Sequence, residues 1–168
     1  MKRIWIAALI FLTACTNGNA TNGKGEVVDC GSIKIEKNIS AGTKLKCLTG
    51  NEGASLEQLR GPLLVNIWGS WCPPCREEIP LFIKLDNEKK IPIIGIAVDE
   101  ARIRDAQDYV KMSGIKYPNL YDEKSISAVK LGPGVPQTLL IDESGQIVKK
   151  KIGKFQDYKE LLLFLSGT

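Results

Sequence analysis

The sequence contains no histidine, and this absence excludes several kinds of active site and metal centre. Without an imidazole there is no hydrolase that uses a histidine base, no haem held by histidine, and no copper or zinc site with histidine ligands. The formal charge is only +4 over 168 residues, and no dense basic patch is interleaved with aromatic residues. Nucleic acid is therefore not an expected partner, and we expect no cofactor and no metal.

The apolar run at the amino terminus lacks the length to cross a membrane. It covers residues 4–14 and follows Lys2 and Arg3. A helix of about eleven residues would be about 16 Å long, roughly half the thickness of a bilayer core. A basic start followed by a short apolar run is typical of a secretory signal peptide, which we place at residues 1–14.

The end of this run, Leu12-Thr13-Ala14-Cys15, resembles the bacterial lipobox. The resemblance implies cleavage before Cys15 and attachment of a lipid to it. An ordinary signal peptide with a chance cysteine is the alternative. Because the residues that follow are small and polar, we expect a flexible tether at 15–26 and one domain at 27–168.

The cysteine count is five, an odd number that a lipid on Cys15 would explain by leaving four. These four divide into Cys72 with Cys75 and Cys30 with Cys47. Export permits disulfides, and we expect Cys30 and Cys47 to form a structural one. Two free thiols, or a second pair that passes electrons to the first, are the alternatives.

The pattern along the rest of the chain predicts an α/β sandwich. Alternating apolar residues over 27–48 predict a β-hairpin with its turn at 38–42. Further strands are expected at 63–67, 92–98, 138–142 and 147–152. Helices are expected at 73–90, at 99–112 with Asp99 as the cap, and at 157–165.

The residues Trp71-Cys72-Pro73-Pro74-Cys75 stand between an expected strand and an expected helix. Two cysteines with two residues between them can form and break a small disulfide ring, and a helix amino terminus favours a thiolate. We therefore expect Cys72 to be exposed and to act as the nucleophile. Cys75, one turn inside, should be shielded and act as the resolving thiol. A structural disulfide and a zinc site are the alternatives.

The order of these elements, with several motifs, resembles the thioredoxin fold, and more closely its membrane-anchored extracytoplasmic TlpA/ResA/DsbE-like branch. Over residues 56–165, the motifs are the cysteine motif, Val65–Trp68, Pro80, Ile96–Asp99, Tyr117-Pro118 and Val135–Asp142. The resemblance implies a thioredoxin-like three-layer sandwich with a mixed central sheet flanked by helices. The hairpin would be an N-terminal extension of that fold.

The resemblance also implies a substrate-binding surface. Val135-Pro136 resembles the family's cis-proline loop, which lies against the cysteine pair and pairs with an extended substrate segment. A trans proline at a strand start is the alternative. The residues that we expect to contact substrate are Trp71, Pro73, Pro74, Val135 and Pro136.

Glu78 lies three residues after Cys75 and so shares a helix face with it. Similar proteins of the ResA branch carry a glutamate at this position that transfers protons to and from the buried thiol. Asn66 stands where many thioredoxins have a buried aspartate, and an amide cannot exchange protons. The alternative is an acid that faces water and interacts with the helix dipole.

The neighbours of Cys72 predict a reductant or a mild oxidant. Pro73 and Pro74 have no N–H to donate to its sulfur, and the negative charges of Glu77 and Glu78 disfavour a thiolate. The pKa of Cys72 should therefore be less depressed than in strong oxidants.

These observations predict a monomeric thiol-disulfide oxidoreductase, lipid-anchored outside the cytoplasm of a bacterium. The resemblance implies two kinds of partner, which are exported proteins with cysteine thiols or disulfides and a membrane thiol-disulfide electron donor or acceptor. It also implies two alternative tasks, which are keeping apocytochrome c cysteines reduced for haem attachment or forming disulfides in secreted proteins. The alternative is a non-catalytic binding or metal-delivery lipoprotein. Copper-delivery relatives, however, use C-x-x-x-C plus a histidine, which this chain lacks.

Overall fold

The computed structural model describes residues 24–166. The predicted signal peptide at 1–14 and the predicted lipidation site, Cys15, lie outside the described residues. Over the described range, no helix combines the length and the apolar character needed to cross a membrane.

A six-stranded mixed sheet forms the centre of the molecule. Its strands are β1 (Lys46–Cys47), β2 (Leu63–Trp68), β3 (Ile93–Val98), β4 (Asn119–Asp122), β5 (Gln137–Ile141) and β6 (Ile147–Ile152). They lie in the order β1-β4-β3-β2-β5-β6. β2 and β4 run parallel to β3, whereas the pairs β2–β5, β5–β6 and β1–β4 are antiparallel.

Helices cover both faces of this sheet. They are α1 (Pro73–Asn87), α2 (Ile103–Ser113), α3 (Ile126–Leu131) and α4 (Tyr158–Leu165), with 3₁₀ turns at Cys30–Ser32 and Leu56–Gln58. Residues of α1, α2 and α4 share one apolar cluster with Leu64 and Trp68. Val65 and Ile67, which point to the opposite face, belong to a second cluster against which α3 packs. The predicted thioredoxin-like sandwich with a mixed sheet is confirmed.

The predicted N-terminal hairpin over 27–48 is wrong. The backbone N–H of Glu36 donates to the carbonyl of Gln58, and the N–H of Arg60 donates to the carbonyl of Lys34. The second arm of the expected hairpin is the two-residue strand β1, which pairs with β4. Alternation indicates an extended segment with one buried face, but it does not specify which backbone pairs with that segment.

Two smaller expectations also differ from the structure. Asp99 does not cap α2, because that helix begins at Ile103 with Arg102 as its N-cap. The last residues of the predicted tether are hydrogen-bonded to the folded domain. The N–H of Gly25 donates to the carbonyl of Lys111 in α2, and the N–H of Glu26 donates to the carbonyl of Ile115 just after that helix, both at 2.9 Å. The ordered body therefore includes residues before Val27.

A disulfide joins Cys30 to Cys47, with Cα atoms 5.7 Å apart. It connects the N-terminal segment to β1, at the edge of the sheet. Both cysteines are buried in the second apolar cluster, and the carbonyl oxygen of Asn119 in β4 lies 3.4 Å from Cys30 Sγ. The disulfide thus attaches a segment with few strand hydrogen bonds to the central sheet.

We predict that replacing Cys30 and Cys47 together by alanine lowers the free energy of unfolding by about 3 kcal/mol. The bridged residues are 17 apart, and closing a loop of that size restricts the unfolded chain by about this amount. Urea unfolding of the parent and the double variant measures the difference. Alkylation of the unreduced parent should leave Cys30 and Cys47 unlabelled, and labelling of both would contradict a bridge.

Candidate active site

The turn between β2 and α1 carries the first cysteine pair. Cys72 is the N-cap of α1, and the helix begins at Pro73. Pro73 and Pro74 occupy the first helical positions, where a missing N–H costs least. The first nearby amide that can donate is that of Cys75, and it lies 3.2 Å from Cys72 Sγ. One N–H of the helix end is therefore directed at this sulfur.

Cys72 and Cys75 form a disulfide with Cα atoms 5.3 Å apart. In this form Cys72 is only 2% exposed, and Cys75 is fully buried. The expectation of an exposed Cys72 is therefore wrong for the disulfide state. The carbonyl oxygen of Val135 lies 3.8 Å from Cys72 Sγ, because the loop that carries Val135 packs over the cysteine turn.

The peptide bond between Val135 and Pro136 is cis. Behind it, the side-chain amide of Gln137 donates to the carbonyls of Gly132 and Gly134 at 2.9 and 2.7 Å. These bonds fix the approach of the loop to the cysteines. A second cis bond, Gly61–Pro62 at the start of β2, was not expected from the sequence.

Trp71 is the large apolar side chain that the site leaves in contact with solvent, with an exposed fraction of 51%. Its indole N–H donates to the carbonyl of Val98 at the end of β3, 3.3 Å away. Pro73 is exposed beside it and Pro74 is half-buried. Trp68 is fully buried, and its indole N–H donates to Asn119 Oδ1 at 3.0 Å.

Glu78 faces the interior, which excludes the alternative that it faces water. Its side chain lies under α1 and is fully buried. Oε1 accepts a hydrogen bond from the amide of Asn66 in β2 at 2.8 Å. Oε2 accepts one from the backbone N–H of Phe155 at 3.1 Å. The carboxyl group therefore bridges a strand, a helix and the loop before α4.

Burial raises the pKa of Glu78 to about 7, because removal from water disfavours the charged carboxylate. The hydrogen bonds from Phe155 and Asn66 and the charge of Lys151 act in the opposite direction and lower this pKa, but they do not cancel the effect of burial. A carboxyl group with such a pKa can take up and release a proton near neutral pH.

Several groups that surround Glu78 could not have been predicted from the residues next to it in the sequence. Phe155 lies 77 residues away and contributes only a backbone N–H, a group that every residue except proline carries. Asn66 pairs in register with Thr138 of β5. Asn66 Oδ1 and Thr138 Oγ1 are buried without a hydrogen-bond partner among the described residues. The pairing of strands, rather than local sequence, brings these polar atoms together.

Comparison with known proteins identifies relatives of this chain. The Redoxin family profile matches residues 34–162. Thiol-disulfide oxidoreductase ResA of Bacillus cereus is 31% identical over 161 residues, which cover 91% of this chain and 90% of ResA. Thioredoxin-like protein YneN of Bacillus subtilis is 32% identical over 162 residues, which cover 91% of this chain and 92% of YneN.

Solved structures share the same fold. StoA from Bacillus subtilis superimposes with a TM-score of 0.62 at 22% identity, covering 76% of this chain and 98% of StoA. The dsbF protein of MTB, in mixed oxidised and reduced forms, gives a TM-score of 0.63 at 22% identity and covers 74% of this chain and 92% of dsbF. At this identity the likeness concerns the fold alone.

We predict that Glu78 makes the stability of the disulfide form depend on pH. The pKa of Glu78 is raised from 4.5 to about 7 in the folded state, so its neutral form is favoured by folding. The favourable contribution of Glu78 to the free energy of unfolding is complete below pH 4.5. It is lost as the pH rises to about 7, a change of roughly 3 kcal/mol. Urea unfolding at several pH values measures it.

The matched control is Glu78→Gln, which resembles the protonated acid and does not titrate. Its free energy of unfolding should lack this loss between pH 4.5 and about 7. Because Cys72 and Cys75 do not titrate as a disulfide, thiol ionisation does not contribute. Identical pH profiles for the parent and the variant would show that Glu78 keeps an ordinary pKa.

Proposed function

Since this chain belongs to the redoxin family and is a thiol-disulfide oxidoreductase, we propose that it exchanges electrons with cysteines of exported proteins through Cys72 and Cys75. A lipid on Cys15 would hold it at the outer side of the cell membrane. The enzyme activity itself follows from relatives named as thiol-disulfide oxidoreductases and as a thiol:disulfide interchange protein. These relatives favour an enzyme over the alternative of a non-catalytic binding or metal-delivery lipoprotein.

The observation that carries the proposal is the position of the Cys72–Cys75 disulfide. It lies at the amino end of α1, where the Cys75 N–H points at Cys72 Sγ. The carbonyl oxygen of Val135, in the loop before Pro136, lies 3.8 Å from that sulfur. A helix end stabilises a thiolate, and a backbone edge beside it can hold an extended peptide.

In the reducing direction, the Cys72 thiolate attacks one sulfur of a substrate disulfide. A mixed disulfide forms at Cys72, and the other substrate sulfur leaves and takes up a proton. Cys75 then attacks Cys72 Sγ, which releases the second substrate thiol and closes the Cys72–Cys75 disulfide. Two electrons pass to the substrate, and the oxidising direction is the reverse of these steps.

Glu78 serves as the proton carrier for Cys75 in this proposal. Cys75 is fully buried, so its thiol must lose a proton inside the protein before it attacks. Glu78 lies one helical turn further along the same helix face and is held by Asn66 and the Phe155 amide. Its pKa of about 7 allows it to accept that proton near neutral pH.

The surroundings of Cys72 support a reductant or a mild oxidant rather than a strong oxidant. Over residues 24–166, the Cys75 amide is the one that donates to its sulfur, because the two prolines that follow Cys72 have no N–H. The Val135 carbonyl oxygen, also near the sulfur, carries partial negative charge. Both features limit the stabilisation of a Cys72 thiolate, and a reduced form with a less stable thiolate is a better electron donor.

Two substrate classes are compatible with a reductant or a mild oxidant. One is apocytochrome c, whose cysteines must be reduced before haem attachment, and the other is secreted proteins that acquire disulfides. In either case a membrane thiol-disulfide protein would supply or remove the electrons. Trp71, Pro73, Pro74, Val135 and Pro136 would form the substrate-contacting surface. The protein would act as a monomer.

We predict that the parent protein catalyses the reduction of insulin disulfides by dithiothreitol and that Cys72→Ser reduces this rate to the uncatalysed background. The reason is that Cys72 is the thiol that begins the exchange in this proposal. The turbidity of precipitating insulin chains measures the rate. The Cys30→Ala/Cys47→Ala variant should keep the parent rate. A large loss in that control would instead assign electron transfer to the second cysteine pair.

Lipid anchoring predicts that the protein made in a bacterial host sediments with membranes. Cys15→Ser removes the sulfur that would carry the lipid, so this variant should move to the soluble extracytoplasmic fraction. Fractionation followed by intact-mass measurement distinguishes the two forms. An unmodified parent with a free Cys15 would contradict the anchor without affecting the proposed redox chemistry.

A further inference from the structure

Ser70, in the turn that precedes Cys72, makes hydrogen bonds through both its backbone and its side chain. Its backbone N–H and its hydroxyl both donate to the carboxylate of Glu100, one to each oxygen. Its carbonyl accepts a hydrogen bond from Arg76 Nε at 2.6 Å. All three polar groups of Ser70, the N–H, the hydroxyl and the carbonyl, are therefore bonded.

The two partners of Ser70 come from different parts of the fold. Glu100 follows β3 closely, and the same strand end accepts the Trp71 indole N–H through Val98. Arg76 lies in the first turn of α1, and its guanidinium carbon is 5.4 Å from the centre of the Tyr109 ring in α2. The turn that carries Trp71 and Cys72 is thus attached to a strand end and to two helices.

We propose that Glu100 is a positioning residue for the redox reaction, because its bidentate hydrogen bonds to Ser70 hold Cys72 in place when the disulfide is open. In the oxidised protein the Cys72–Cys75 bond itself restrains the turn. In the dithiol form that covalent restraint is absent, and the hydrogen bonds of Ser70 then restrain the turn. Glu100 thereby favours closure of the disulfide.

The physical basis is the freedom that the turn gains on reduction. A turn kept in its closed geometry loses little freedom when the disulfide forms again, so the effective concentration of one thiol at the other is high. Without Glu100, the dithiol form gains conformational freedom and becomes relatively more stable. The equilibrium with glutathione should then shift towards the dithiol. This inference rests on the proposed role of Cys72 and Cys75 as the exchanging pair.

The test is the equilibrium in which the protein disulfide and two glutathione molecules give the protein dithiol and one glutathione disulfide. We expect Glu100→Gln to raise the equilibrium constant of this reaction about three- to tenfold, which is the effect of losing one ordinary hydrogen bond. Intact mass after acid quenching and alkylation measures the two forms. Glu143→Gln, at an exposed acid in the turn between β5 and β6, is the matched control and should leave the constant unchanged.

Two further variants separate positioning from a simple effect of charge. Ser70→Ala removes the hydroxyl bond without changing any charge, and it should shift the constant in the same direction as Glu100→Gln. Glu100→Asp keeps the charge but is one methylene shorter, so it should also raise the constant. If Glu100→Asp and Ser70→Ala both match the parent while Glu100→Gln differs, the effect is electrostatic and the positioning role is wrong.

A double-mutant cycle tests whether the two residues act together. The shift in Ser70→Ala/Glu100→Gln should be clearly smaller than the product of the two single shifts, because each single variant already breaks the same contact. Independent, multiplicative shifts would contradict the proposal.

Amide hydrogen exchange tests the contact without any glutathione reaction. In the protein reduced by dithiothreitol, exchange of the Ser70 and Trp71 N–H groups should be several-fold faster in Glu100→Gln than in Glu143→Gln. Unchanged exchange would overturn the positioning role. A parent that shows this protection but no disulfide exchange with glutathione would contradict the proposed function and leave the contact supported.

Discussion

The complete burial of strand β2 is the constraint on which the rest of this structure depends. All six residues from Leu63 to Trp68 are buried, and the strand pairs with β3 on one side and β5 on the other. Because β2 has a partner strand on each side, the chain can leave the sheet only beyond the carboxyl end of this strand. The turn that carries Cys72 begins there, and the helix that follows must fold back over the sheet.

This burial also determines the chemistry beneath the cysteines. Asn66 is the one polar residue of β2, and a buried amide needs a hydrogen-bond partner. The NH2 group of Asn66 finds its partner in Glu78 of α1, which is itself removed from water. The energetic cost of burying a carboxylate is avoided when the group is neutral. The same packing that stabilises the fold therefore produces an acid that titrates near neutral pH.

The loops around the cysteine pair are fixed by contacts from distant parts of the chain. Glu100 and Arg76 hold the turn before Cys72, and Gln137 holds the loop before the cis proline. Arg76 lies in the first turn of α1, Gln137 is the first residue of β5, and Glu100 stands two residues after the end of β3. Side chains from three separate parts of the chain thus order the irregular segments around the cysteine pair.

Residue types and short-range periodicity were enough to identify the cysteine motif, an α/β sandwich and most strands and helices, and the resemblance of the motifs to a known family added the thioredoxin-like class. Helical spacing alone also placed Glu78 on the helix face of Cys75. The hairpin over 27–48 was mispredicted because alternation specifies a buried face and not a pairing partner. The packed fold was needed to establish that Cys72 is covered in its disulfide form, that Phe155 donates to Glu78, and that Ser70 donates to Glu100. Those contacts join residues far apart in the chain, and their geometry exists only once the strands have packed.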